Sequence, residues 1–188
     1  CAATDHLDNV TVSTGDVYKL DFADESFDVV HAHQVLQHLT DPVAALTECR
    51  RVLRPGGRLA VRDGDYGAFV WAPGDARLDR WNELIHAVAT HNGADADAGR
   101  SLPAWVRAAG FDEVTVSSST WTFSEPADRQ WWGSTWAQRC EQSAFAEQAV
   151  AAGLTTTGEL AELSAAFTAW IDEPAAVFVV VHVEVLAR

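Results

Sequence analysis

The chain has 188 residues, of which 48% are hydrophobic and 21% are charged, the balance of a globular domain and not of a disordered chain. Asp and Glu number 27 against 13 Lys and Arg, which gives a formal net charge of −14. This acidity argues against nucleic acid and anionic membrane surfaces as main partners, because phosphate binding needs clustered cations.

The first half of the chain predicts two strands, a helix and a third strand. The β-branched run Asn9–Ser13 reads as a strand, and Phe27–Ala32 has the adjacent apolar residues that are typical of a strand covered on both faces. Asp41 is placed to cap a helix that begins with Pro42, and an Arg-Pro-Gly-Gly run ends this helix before the strand Arg58–Arg62. This order predicts a parallel βαβ unit with a right-handed crossover.

The second half of the chain predicts further helices and strands. Helices are expected over Asp75–His91 and Leu102–Ala109. Strands are expected over Val114–Phe123 and Ala176–Leu186. Between those two strands lie about 50 residues of helical character, with a capping-box spacing at Thr156 and Glu159. Neither a repeat nor a linker interrupts the pattern, so a single domain is expected.

Three stretches in fixed order carry a family resemblance. They read G-D-V-Y-K-L-D-F-A-D-E-S-F-D-V-V from Gly15, V-L-Q-H-L-T-D-P from Val35, and A-L-T-E-C-R-R-V-L-R-P-G-G-R-L from Ala45. Together they closely resemble class I S-adenosylmethionine-dependent methyltransferases, of the small-molecule group that includes the ubiquinone and menaquinone C-methyltransferases. The resemblance covers Val10–Asp63 and continues weakly towards the last strand.

The resemblance implies an α/β, Rossmann-like sheet that is mostly parallel, with an antiparallel last strand and a helical insertion before it. In the family's order, Val10–Ser13 is the third strand, Phe27–Ala32 the fourth and Arg58–Arg62 the fifth. The resemblance also implies S-adenosylmethionine as cofactor and S-adenosylhomocysteine as product. The implied reaction is methyl transfer to a small-molecule acceptor by in-line displacement.

The family's glycine-rich loop, acidic-x-G-x-G-x-G, and the acidic residue that ends its second strand are not found in this sequence. In the family these elements hold the methionine carboxylate region and the ribose hydroxyls. We therefore expect residues 1–188 to form a single methyltransferase domain that is N-terminally incomplete, with a helical cap insertion at 125–173. The alternative is a non-catalytic methyltransferase-like binding or partner domain, and the missing loop is its one support.

Four residues are implied as cofactor-binding by the resemblance. Asp16 would accept a hydrogen bond from adenine N6 and the Val17 N–H would donate to N1, while His33 and Gln34 follow the fourth strand. Ligands of open parallel sheets bind beyond the carboxyl ends of the strands, which agrees with the position of His33. The plainer alternative for Gly15 and Asp16 is a turn that ends a strand.

The candidate residues for catalysis and acceptor binding are His38, Asp63, Tyr66, Trp132 and Trp136. His38 could act as a base, or it could simply hold the start of a helix. Asp63 and Tyr66 follow the fifth strand and are expected to open onto the cleft. The two tryptophans belong to the insertion, which in this family covers the substrate. Flat rings there favour an apolar or aromatic acceptor, although aromatic residues more often pack in a core.

Neither a metal site nor another enzyme class is predicted. His31 and His33 share a strand face, but no third ligand has a recognisable spacing, so His31 is expected to be a hydrogen-bonded core histidine. The three cysteines are far apart, which argues against a disulfide framework. The motifs of short-chain dehydrogenases and serine hydrolases are missing. With no apolar run of about 18 residues and no signal peptide, a cytoplasmic protein is expected.

Overall fold

A computed structural model describes residues 7–188. The strands are β1 (Phe27–His33), β2 (Leu53–Gly64), β3 (Val70–Ala72), β4 (Val114–Phe123) and β5 (Val177–Ala187). The α-helices are α1 (Pro42–Val52), α2 (Ala76–His91), α3 (Ala98–Ala108), α4 (Pro126–Gln142), α5 (Ala144–Ala151) and α6 (Thr157–Asp172). Short 3₁₀ turns follow β1 at Leu36–His38 and β2 at Tyr66–Ala68. Within residues 7–188, no helix has the length and apolar character needed to cross a bilayer.

The five strands form one mixed sheet in which β5 runs against the other four. β1 pairs with β2 in parallel, whereas β2, β3 and β4 each pair with β5 antiparallel. β5 therefore lies between β2 and β4, and the short β3 pairs only with Val177–Val179, beyond the part of β5 that pairs with β2. The prediction of a mostly parallel sheet with an antiparallel last strand is confirmed.

The predicted strand Asn9–Ser13 does not form. These residues have no regular secondary structure, and Val10 and Val12 are exposed. A strand needs a neighbouring ladder of backbone hydrogen bonds, and none of the strands formed by residues 7–188 pairs with this segment. Local β propensity alone is therefore insufficient here.

One face of β1 is open, so the prediction that both faces are covered is wrong. Val29 is 57% exposed, and His31 and His33 on the same face are exposed as well. The expectation of a core histidine at His31 is therefore also wrong. Adjacent apolar residues show that both faces of a strand are apolar, but only the tertiary structure decides whether anything packs on each of them.

Two helices begin at the capping residues that the sequence predicted. The Asp41 carboxylate accepts a hydrogen bond from Ala44 N at 2.9 Å, and Pro42 follows it as the first residue of α1. The Thr156 hydroxyl accepts from Glu159 N at 3.1 Å at the start of α6. Local side-chain chemistry is sufficient to set both boundaries.

Helix α3 begins at Ala98, earlier than the predicted Leu102, because of a tertiary contact. The carboxylate of Asp65, in the loop after β2, accepts hydrogen bonds from Arg100 N at 3.1 Å and Arg100 Nε at 2.7 Å. The first-turn N–H groups of a helix have no partner inside the helix, so a buried carboxylate beside them stabilises an early start.

Helices pack on both faces of the sheet, although they leave the face of β1 that carries Val29 and His31 exposed. α1 and α3 cover one face, where Leu46, Leu59 and Val106 are fully buried. α2, α4 and α6 pack on the other face through a cluster of aromatic side chains. The helices between β4 and β5 therefore belong to the packed core and do not form a separate unit.

Trp81 of α2 lies in the middle of that aromatic cluster. Its ring centre is 4.6 Å from that of Trp136 in α4, 5.2 Å from that of Phe167 in α6 and 6.0 Å from that of Phe178 in β5. The first two contacts have edge-to-face geometry, which suits the charge distribution of aromatic rings. One side chain thus joins three helices and the sheet.

We predict that Trp81→Ala lowers the free energy of unfolding by about 3–5 kcal/mol, because the side chain is 0% exposed and its removal leaves a cavity. Urea denaturation measures the change. Trp131→Ala is the matched control, since Trp131 is 58% exposed, and we expect it to lose less than about 1 kcal/mol. Equal losses in the two variants would contradict the central role of Trp81.

Candidate functional site

A cavity of about 600 Å³ opens at the carboxyl ends of β1 and β2. Gln34, Gln37 and His38 line it from the loop after β1, and Tyr66 lines it from the loop after β2. Helices α2, α4 and α5 contribute the opposite wall. Both the volume and the place at the carboxyl edge of the sheet are typical of small-molecule sites.

The helical wall is mainly apolar, with a few polar groups. Its larger apolar side chains are Ile85, Val88, Trp136 and Phe145. Its polar side chains are Asn92, Arg139, Ser143 and Gln148. An apolar wall with a small number of placed polar groups is the usual composition of a ligand pocket.

Gln34 directs the chain from β1 into the cavity. Its backbone N–H donates to Arg62 O at 2.7 Å, which extends the parallel ladder by one residue. Its φ of 54° lies in the left-handed region that few non-glycine residues adopt. Its side-chain Nε2 donates to Nε2 of the buried His182 at 3.0 Å, and burial above all lowers the pKa of His182 to about 4, which keeps that ring neutral. Gln34 is therefore held at both its backbone and its side chain.

Asp63 does not line the cavity, contrary to its predicted contact with the acceptor. Its side chain is 0% exposed, and its Oδ1 accepts a hydrogen bond from Gln37 N at 3.2 Å. Burial raises the pKa of Asp63 to about 6, although backbone N–H groups of the 3₁₀ turn oppose this rise. Asp63 Oδ2 has no hydrogen-bond partner among residues 7–188. The carboxyl therefore positions the turn that carries His38.

His38 lines the cavity, where the sequence analysis placed a candidate base. Its Nε2 accepts a hydrogen bond from Gln37 Nε2 at 3.1 Å. The surrounding protein desolvates part of the ring and lowers the pKa of His38 below its usual 6.5, so the imidazole is neutral at pH 7. A neutral imidazole can accept a proton, which is the chemical requirement for a base.

His33 lies outside the cavity, on the open face of the sheet. Its Nε2 is 2.6 Å from Arg62 Nη1, and its ring centre is 5.9 Å from that of Trp121. Partial desolvation and the charge of Arg62 lower the pKa of His33 below 6.5. The adjacent residues His33 and Gln34 thus face different surroundings, although the sequence grouped them together.

Asp16 and Val17 lie in a tight turn that closes where Lys19 N donates to Asp16 O at 3.0 Å. No strand formed by residues 7–188 precedes this turn, so the plainer alternative, a turn that ends a strand, is right for the turn and wrong for the strand. Asp16 Oδ1 accepts from Tyr18 N at 2.9 Å, while Asp16 Oδ2 and Val17 N have no hydrogen-bond partner among residues 7–188. The Tyr18 hydroxyl accepts a hydrogen bond from Asp41 N at 3.2 Å and lies 3.3 Å from the Thr40 hydroxyl. These contacts hold the turn beside the loop that follows β1, with one acceptor and one donor left available.

The two candidate tryptophans of α4 have different surroundings. Trp136 lines the cavity. Trp132 does not, because it lies in the core, where it stacks on Phe123 at a centre-to-centre distance of 4.4 Å and an interplanar angle of 10°. For Trp132 the ordinary core interpretation therefore fits the structure.

Metal and thiol chemistry find little support in the described part of the chain. Residues 7–188 contain no group of three or more His, Cys, Asp or Glu placed to hold a metal ion. The ring centre of His33 is 6.3 Å from those of both His31 and His182. Burial raises the pKa of Cys49 to about 11 and that of Cys140 to about 12, so both thiols stay protonated at pH 7.

Sequence reasoning missed four polar residues of the helical wall and the ion pair behind it. Asn92, Arg139, Ser143 and Gln148 are isolated polar residues in helices or at helix ends, and no motif or spacing marks them. The pair of Asp65 and Arg100 fixes the loop that carries Tyr66, and the run Asp-Gly-Asp after β2 was its only signal. Tertiary contacts, and not local pattern, give these residues their places.

We predict that Asp63 makes the folded chain less stable as pH rises from about 4 to about 6. The pKa of Asp63 is about 6 in the folded chain, and the reference value of 3.8 stands for the unfolded chain. Between these two pH values the folded state binds more protons than the unfolded state, so the free energy of unfolding falls as pH rises. Asp63→Asn should be more stable than the wild type at pH 7 by about 1–3 kcal/mol, with the difference shrinking towards pH 4. Urea denaturation at several pH values measures it. Asp112→Asn, an exposed control, should show no such pH dependence, and a difference for Asp63→Asn that stays constant with pH would contradict the prediction.

Comparison with known proteins finds similarity to methyltransferases. Residues 1–61 match the family model described as "Methyltransferase domain". An uncharacterized methyltransferase of Schizosaccharomyces pombe is 37% identical over 127 residues, which are 66% of this chain and 45% of that protein. A demethylmenaquinone methyltransferase of Mycobacterium sp. (strain KMS) is 37% identical over 99 residues, which are 51% of this chain and 43% of that protein. The chain thus spans less than half the length of these curated relatives.

A solved structure shares the fold. It is a protein of Bacillus halodurans described provisionally as a methyltransferase, with a TM-score of 0.50 and 19% sequence identity, and the match covers 93% of this chain and 75% of that chain. The resemblance to class I S-adenosylmethionine-dependent methyltransferases is therefore confirmed, for the fold of the chain and for the sequence of residues 1–61.

Proposed function

We propose that the protein transfers a methyl group from S-adenosylmethionine to a small-molecule acceptor bound in the cavity. The observation that carries this proposal is the cavity at the carboxyl ends of β1 and β2, in a chain whose first 61 residues match a methyltransferase domain. One relative is named a demethylmenaquinone methyltransferase, which supports a small molecule as acceptor. In this proposal residues 1–188 act as one domain, and the helical segment 125–173 is the cap over the acceptor.

The turn at Asp16 and Val17 fits the adenine end of the cofactor. Asp16 Oδ2 and Val17 N, which have no partner among residues 7–188, match the donor at adenine N6 and the acceptor at N1. When bound, S-adenosylmethionine supplies an electrophilic methyl group on a sulfonium. We assign Asp16 and Val17 to the adenine and Gln34 to the cavity end of the cofactor site.

The contribution of the chain to methyl transfer is mainly alignment and exclusion of water. An in-line displacement needs the attacking atom held on one line with the methyl carbon and the sulfur, and such positioning supplies several kcal/mol. Tyr66 stacks on Phe69 with ring centres 4.4 Å apart, and Trp136 is fixed against Trp81, so both rings are rigid surfaces. Where the acceptor is a hydroxyl, His38 is the candidate base, and its basic Nε2 must then release the hydrogen bond from Gln37 Nε2 to accept the proton.

The second candidate function is a non-catalytic methyltransferase-like domain that binds a ligand or a partner. The two candidates differ in one measurement. Formation of S-adenosylhomocysteine from S-adenosylmethionine in the presence of small-molecule acceptors supports the enzyme.

We predict that Asp16→Asn weakens binding of S-adenosylhomocysteine roughly tenfold or more, because an amide donor replaces the oxygen that faces adenine N6. The variant keeps an oxygen for the hydrogen bond from Tyr18 N, so the turn is preserved. Saturation-transfer NMR measures binding even when it is weak, and transfer of an isotope-labelled methyl group measures activity. Asp21→Asn, an exposed control nearby, should change neither. Equal affinity in the Asp16→Asn variant would leave Gly15 and Asp16 as a turn only.

We predict that Trp136→Phe raises the KM for the acceptor several-fold, while the Kd for the cofactor changes much less, because Trp136 lines the cavity wall. Trp132→Phe is the matched control: it removes the same atoms from a similarly buried tryptophan that does not line the cavity. Thermal unfolding is recorded for both variants. A rise in KM that is equal in the two would show a general loss of packing and contradict the assignment.

A further inference from the structure

Among residues 7–188, Arg139 has no carboxylate partner, and it lies at the exposed edge of the cavity. It lies in the last turn of α4, and its guanidinium carbon is 5.1 Å from the centre of the Trp136 ring. Among residues 7–188, no carboxylate oxygen lies within 4.0 Å of Arg139, whereas seven other arginines make such ion pairs, namely Arg51, Arg54, Arg62, Arg77, Arg80, Arg100 and Arg188. Its charge is therefore left available to a ligand.

Among residues 7–188, no acidic side chain lines the cavity, although the protein is strongly acidic. Arg139 is the only Asp, Glu, Lys or Arg among the sixteen residues that line it, in a chain with 27 acidic residues. A cleft with charge of one sign and low-dielectric walls concentrates the electric field and attracts the opposite charge. The cavity therefore favours an anion over a cation or a neutral molecule.

Uncharged donors surround the same space. Burial raises the pKa of Tyr66 to about 12, with the charge of Arg139 acting in the opposite direction, so the phenol stays protonated and offers an O–H. Asn92 Nδ2 donates to Gln148 Oε1 at 2.9 Å, which leaves the Gln148 amide nitrogen as a donor. The apolar side chains Ile85, Val88 and Phe145 line the same helical wall as these donors.

On the basis of the proposed function, we propose that the methyl acceptor has an aromatic or aliphatic body and a carboxylate, and that Arg139 binds this carboxylate. A guanidinium binds a carboxylate through two parallel hydrogen bonds, and the Trp136 face beneath it fixes its plane. Ile85, Val88 and Phe145 receive the apolar body. Arg139 is thus a residue that determines acceptor specificity.

The experiment must distinguish carboxylate binding by Arg139 from a simpler role in helix stability. A cation in the last turn of a helix interacts favourably with the helix dipole, and Arg139 has that position in α4. Such a role affects stability but not the choice between an anionic and a neutral ligand. The test therefore compares ligands that differ only in charge.

The experiment measures binding and needs neither cofactor nor turnover. Benzoate and naphthoate, each compared with its neutral amide, are titrated into the wild-type chain by calorimetry. We expect at least one of the two acids to bind about tenfold more tightly than its amide. Arg139→Gln should abolish this preference and leave the affinity for the amide unchanged, while Arg139→Lys should retain part of it. Arg107→Gln removes the same charge from an exposed arginine of α3 outside the cavity and should retain all of it.

Two results would overturn the inference. One is a wild-type chain that binds neither acid more tightly than its amide, and the other is a preference for the acid that persists in Arg139→Gln. Thermal unfolding of each variant identifies a role of Arg139 in stabilising the helix dipole, because that role changes the unfolding midpoint and leaves the preference for the acid unchanged. A chain that shows the Arg139-dependent preference but transfers no methyl group would contradict the proposed function while leaving the anion site in place.

Discussion

The parallel pairing of β1 with β2 is the constraint on which the candidate site depends. Because the two strands run in the same direction, their carboxyl ends meet at one edge, and the loops after them emerge side by side. The hydrogen bond from Gln34 N to Arg62 O continues this ladder to the last residue before the chain turns away. The cavity residues of the loops after β1 and β2, from Gln34 to Tyr66, therefore lie close together at that edge.

Two buried carboxyl groups at the carboxyl end of β2, those of Asp63 and Asp65, fix the loops. Their burial is compensated by different partners. Asp65 faces the guanidinium of Arg100, so its charge has a direct partner. Asp63 has only backbone N–H groups, and its raised pKa reflects the poorer compensation. A turn that presents His38 and Gln37 to the cavity is thus held at a cost in stability, as is common where a loop is fixed for function.

The helical segment between β4 and β5 serves both the core and the cavity. One side of α4 packs Trp132 on Phe123, which anchors the helix to the sheet, while Trp136 and Arg139 reach the cavity from the same helix. A wall anchored by a rigid aromatic core keeps a defined shape, which alignment of an acceptor requires. In the proposed function, α4 therefore both forms part of the cavity wall and selects the acceptor.

The sequence by itself determined the resemblance to methyltransferases, the order of the later strands and the helix starts at Asp41 and Thr156, because these depend on local pattern, on capping groups and on motifs in fixed order. Only the tertiary structure decided that Asn9–Ser13 forms no strand, that Asp63 is buried and that Arg139 faces the cavity. Periodicity shows that a side chain prefers burial or solvent, but not which neighbour it meets. That neighbour depends on contacts between segments far apart in the chain, and these contacts set strand pairing, pKa values and the composition of a cavity.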